Sequence, residues 1–60
     1  MKVICISERK SNFSQIEKGQ FYKIDIQSIW IDSDGDAYGS VYDENGVFIG
    51  NMLLKHFKSV

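Results

Sequence analysis

The sequence predicts an all-β fold in which five short strands enclose one small core. Three observations carry that reading: β-branched and aromatic runs recur along the chain, Asp-Gly and Asn-Gly pairs punctuate them, and almost no segment reads as helix. The strand runs are KVICIS, FYKIDIQSIWID, AYGSVY, VFIG and a closing FKSV.

In the first run Val3 and Cys5 point one way while Ile4 and Ile6 point the other, so both faces have apolar cover to offer. The polar stretch ERKSNFSQIEKGQ follows as a long structured loop, with Phe13 and Ile16 able to pin it to a core. Its SQIE segment fits a capping box closed by Gly19, though with room for a single turn only. The second strand is the longest. Tyr22, Ile24 and Ile26 share a face, and the apolar set then slips to Ile29 and Ile31 with Ser28 at the change, which predicts a β-bulge and a bend near Gln27 and Ser28. The slipped phase sends Trp30 outward; a continued even phase would bury it. Asp34-Gly35 and Asn45-Gly46 supply the positive backbone angles of two hairpin turns. Gly39 and Gly50 lie inside strands, where glycine marks curvature or close approach. NMLLKHF is too short for an α-helix and suits one 3₁₀ turn before the last strand. Phe21 or Tyr22, Ile24, Ile26, Val41, Phe48, Phe57 and Val60 are the expected core.

With 60 residues the chain is one domain, residues 1–60, and buries about 60% of the surface its unfolded form exposes. That leaves little depth for a catalytic pocket, and the expectation is a protein that is not an enzyme and needs no cofactor. Hydrophobic residues at 43% and charged residues at 25% match a globular chain and argue against disorder. One cysteine excludes an internal disulfide, and Cys5 with His56 cannot complete a four-ligand zinc site. The run MKVICIS lacks the apolar core and cleavage site of a signal peptide, and no run approaches a membrane span. A soluble cytoplasmic protein, monomeric or weakly self-associating, is expected.

Charge is distributed unevenly. From Ile24 to Leu54 there is no Lys or Arg, while Asp25, Asp32, Asp34, Asp36, Asp43 and Glu44 give that segment −6. The flanks hold all seven basic residues against Glu8 and Glu17, a net +5. Charge of this kind collects at solvated turns; it also steers encounters if the fold gathers it into poles.

Strand, long loop, bent strand, two hairpins, helical turn and closing strand is the order of the SH3-like barrel. The motifs MKVICI, EKGQFYKI, DSDGD, DENG and HFKSV, spread end to end, resemble the small SH3-like barrel proteins of bacteriophages and prophages, a group mostly of unknown function. That resemblance implies a five-stranded barrel with one short 3₁₀ turn, at work in the cytoplasm of a bacterial host. The chain lacks the Pro and paired Trp of peptide-binding eukaryotic SH3 domains, so a groove for Pro-rich ligands is not expected.

Candidate chemistries divide as follows. Asp32, Asp34 and Asp36 match the first three ligand positions of a calcium loop, but Ala37 stands where glycine is needed and Asp43 where Glu is, so no metal site is expected. A Cys5–His56 pair is weaker than the reading of Cys5 as a buried core filler and His56 as a surface residue. The leading expectation is a non-catalytic protein-interaction module that binds a host or phage protein through Trp30, Asp32, Asp34, Asp36, Tyr38, Asp43 and Glu44. The alternative is a small nucleic-acid binder using Arg9, Lys10, Lys18, Lys55 and Lys58, against which stands a sequence pI of about 5.6.

Overall fold

A computed structural model describes residues 1–7 and 16–60. Arg9, Lys10, Phe13 and the Ser14 cap lie outside the described residues. The described residues form an open, mostly antiparallel sheet of six strands: β1 (Lys2–Cys5), β2 (Phe21–Ile24), β3 (Trp30–Ile31), β4 (Ala37–Tyr42), β5 (Phe48–Leu53) and β6 (Phe57–Ser59). The described residues contain no α-helix.

β4 organises the sheet. One of its edges takes β5 along its whole length, from Tyr38 opposite Leu53 to Tyr42 opposite Phe48. The other edge is shared by β3, with Trp30 opposite Tyr38, and β2, with Lys23 opposite Tyr42. β2 continues the sheet to β1, and β1 to β6. β2 and β3 are therefore the expected long strand in two pieces, which raises the strand count from five to six. The break is a 3₁₀ turn over Ile26–Ser28 rather than a bulge. Asp25 caps it by accepting the Gln27 N–H at 3.0 Å, and the Ser28 hydroxyl donates to the Asp25 carbonyl at 2.6 Å while accepting the Ser40 N–H of β4 at 2.8 Å. That hydroxyl bridges the gap in the ladder, so the chain bends without orphaning a backbone donor.

The core is Val3, Cys5, Tyr22, Ile24, Val41, Met52 and Phe57, with Ile16, Ile29, Ile49 and Leu54 packed against it. Tyr22 meets Phe57 edge to face at 5.8 Å. Its hydroxyl accepts the Glu17 N–H at 2.9 Å, which ties the end of the long loop to β2. Three expected core residues are corrected. Ile26 is 64% exposed because the turn carries it out of phase with Ile24. Phe48 is 56% exposed because the register with β4 slips between Val41 and Tyr42, where Ile49 is the extra residue of a bulge and parity changes along β5. Val60 is exposed beyond the end of β6. Gly39 does mark a close approach: a Cβ there would lie 3.1 Å from Ile24 Cγ2 and 3.2 Å from Leu54 Cδ2. A second 3₁₀ turn, Leu54–His56, precedes β6 as expected, but NML belongs to β5, and Met52 joins the core.

Candidate interaction site

Both hairpin turns are built on one five-residue plan. In the first, the Asp32 N–H donates to the Asp36 carbonyl at 2.9 Å and the Gly35 N–H to the Asp32 carbonyl at 3.1 Å. Asp32 Oδ1 then accepts the N–H groups of Asp34 at 2.9 Å and Asp36 at 3.0 Å. The second repeats it with Asp43, Gly46 and Val47: Asp43 Oδ1 accepts the N–H groups of Asn45 and Val47, each at 2.9 Å. Gly35 and Gly46 have φ of 85° and 83°, the left-handed region that closes a three-residue hairpin loop. One oxygen of Asp32 is thus engaged by its own turn. Among the described residues no three His, Cys, Asp or Glu side chains gather at metal-binding range.

Trp30 and Tyr38 face each other across β3 and β4, their rings stacked at 4.6 Å and 15°. Trp30 is 49% exposed, so the indole covers Tyr38 on one side and offers its other side to solvent. The Tyr38 phenol titrates above its ordinary value because partial desolvation and the Asp32 carboxylate, which its hydroxyl contacts, disfavour the phenolate, with Asp36 and Asp34 adding to the effect. Ile29 packs on the core, whereas Ile31, expected beside it, is exposed at the end of β3.

Of the residues expected to form one acidic and aromatic surface, the hairpin of β3 and β4 brings together Trp30, Asp32, Asp34, Asp36 and Tyr38. Asp43 and Glu44 are not among them. They follow β4 while Asp32 to Asp36 precede it, and six residues of strand separate the turns by about 20 Å. There they flank a different aromatic pair, Tyr42 and Phe48, whose rings meet at 5.5 Å and 61°.

The described basic residues gather around β1 and β6. Lys18 lies in the turn before β2, next to Gly19, whose N–H donates to the Cys5 carbonyl at 2.8 Å; Lys55 lies in the second 3₁₀ turn and Lys58 on β6. Cys5 is buried beneath them as a core filler, and His56 is partly buried rather than at the surface. Sequence reasoning missed Lys2, Phe21 and Lys23 as a surface set. Their alternation with buried Val3, Tyr22 and Ile24 was the available signal, but it becomes a surface only once β1 and β2 are paired.

Comparison with family models, with curated proteins and with solved structures finds no match.

Proposed function

We propose that the protein is a non-catalytic interaction module of a bacteriophage or prophage, an SH3-like barrel that binds a basic protein partner in the bacterial cytoplasm. The stacked, half-exposed Trp30 beside three carboxylates carries this reading. An indole held rigid by Tyr38 loses little freedom on binding and presents a large apolar face, the properties of an interface hot spot. Asp32, Asp34 and Asp36 surround it with negative charge that would speed encounter with a basic partner and repel acidic ones. The fold assignment is supported by the meander of β2 to β5, the 3₁₀ turn before the last strand, and the return of β6 to β1.

The test is affinity capture from bacterial lysate, with the captured protein identified and its association rate measured against salt. Trp30→Ala should weaken capture about 30-fold or more, as for a hot-spot residue, while the chain stays folded with a urea midpoint lowered only by loss of the Tyr38 stack, worth about 0.5–1.5 kcal/mol. Replacing Asp32, Asp34 and Asp36 with Lys should slow association and flatten its salt dependence. Equal capture by both variants would refute the reading.

A further inference from the structure

A second outward surface lies on β1, β2 and β6. Val3, Cys5, Tyr22, Ile24 and Phe57 face the core, so strand alternation sends Lys2, Phe21, Lys23 and Lys58 to the opposite side. The register sets Lys2 directly across from Lys23, and Ile4 across from both Phe21 and Lys58. Beyond Lys23 the same row continues to Tyr42 on β4 and Phe48 on β5. Like charges directly opposite on neighbouring strands destabilise a sheet. None of the three lysines forms an ion pair among the described residues, and Lys2 Nζ instead sits 4.6 Å over the Phe21 ring. The sheet thus holds an unfavourable charge pairing that an anionic ligand would relieve.

We infer that this face binds single-stranded nucleic acid, with Lys2, Lys23 and Lys58 contacting phosphodiesters and Phe21, Tyr42 and Phe48 stacking on bases. Charge complementarity selects an anion, and the rings interleaved with the lysines select one that brings exposed π-faces. A duplex keeps its bases stacked away from such rings, and an acidic peptide offers π-faces only where it carries aromatic residues, whereas a single strand offers one at every nucleotide. Strand spacing of about 4.8 Å keeps the lysines of β1, β2 and β6 close enough to engage one backbone. The Asp32 to Asp36 turn is about 20 Å from the row, beyond the screening length of about 8 Å at physiological salt. Asp43 and Glu44 flank Tyr42 and Phe48 at the far end of the row and carry negative charge, so the phosphodiesters are assigned to the Lys2, Lys23 and Lys58 end. Trp30 stacks on Tyr38 in the other surface and takes no part in this one, so the two are separable.

Fluorescence anisotropy with a labelled oligothymidylate of about 12 nucleotides, within the usual site size, tests it. The full chain should bind saturably at low salt, with log K falling against log salt at a slope of about −2, from roughly −0.7 per contact. Lys2→Gln with Lys23→Gln should bring that slope to about −0.7 and raise the urea midpoint, since the opposed charges are gone. Phe21→Ala and Phe48→Ala should weaken binding by roughly 5- to 150-fold with little change in slope. Lys55→Gln and Trp30→Ala should bind as the parent chain does. No saturable binding at low salt, a salt slope in the double Lys variant as steep as the parent's, or equal competition by polyglutamate, the mark of an acidic protein partner, would each overturn it.

Discussion

Ile24 and Ile26 are the same residue type, two positions apart, and a continuous strand would bury both. The structure leaves Ile24 2% exposed and Ile26 64% exposed, so truncating each should have very different consequences. A 60-residue domain has about 3–9 kcal/mol of stability in all. Ile24→Ala would remove about 2–5 kcal/mol of that and leave some of the chain unfolded, so Ile24→Val, at about 0.5–1.5 kcal/mol, is the better probe. Ile24 is 2% exposed within the core cluster, so the methyl that Ile24→Val removes is lost from the interior. Ile26→Ala should stay within about 0.5 kcal/mol of the parent even though it removes more atoms. In urea denaturation with a slope of about 1 kcal/mol/M, Ile24→Val should lower the midpoint by about 0.5–1.5 M and Ile26→Ala by less than about 0.5 M. A loss for Ile26→Ala equal to or larger than that for Ile24→Val would mean that β2 runs on through residue 26 and that the 3₁₀ turn is wrong.

The twin turns offer a matched comparison: Asp43→Ala should cost about 1–2 kcal/mol by orphaning the Asn45 and Val47 N–H groups, while Asp32→Ala should cost less, because it also relieves repulsion from Asp34 and Asp36. Equal losses by urea denaturation would show that the acidic neighbours do not matter to the first turn. Because the Tyr38 phenol titrates above 10.0 in the folded chain, its share of stability should be complete below about pH 10 and lost as pH rises through the higher folded value. Phenolate absorbance followed against pH should show Asp32→Asn moving that titration down, and an unmoved titration would remove Asp32 as a cause.

The turns were legible in the sequence because their chemistry is local: an Asp to cap, a Gly in the left-handed region, and the spacing between them. Gly39 was legible as a close approach; Trp30 is exposed as the slipped phase expected, but Ile31, which that phase sent inward, is exposed as well, so alternation does not explain it. Ile26 and Phe48 were misplaced where parity is reset by something alternation cannot register, the Ser28 hydroxyl substituting for a ladder bond in one case and the Ile49 bulge in the other. The acidic segment is continuous along the chain, yet β4 carries its two turns to opposite ends of a strand. Conversely Lys2 and Lys23, far apart in sequence, become direct neighbours through the β1–β2 register. What could not be read was pairing across long loops, on which the surface of β1, β2 and β6 depends.

Two three-residue loops hung on one strand also dictate an order of assembly. Hairpins with such turns close in about 1–10 μs, so β3, β4 and β5 can zip from either end of β4 before the rest of the chain is committed. Pairing of β1 with β6, Val3 opposite Ser59, joins segments almost the whole chain apart and bears the largest closure entropy. The barrier to folding is therefore expected to be crossed with the meander formed and the β1–β6 seam still open. Stopped-flow φ-values near 1 for Gly46→Ala and near 0 for Phe57→Leu would match that sequence of events, and the reverse pattern would place the nucleus at the seam. With the seam last to close, destabilising it speeds unfolding more than it slows folding, and the β1–β6 pair becomes the latch that sets how long each molecule stays folded.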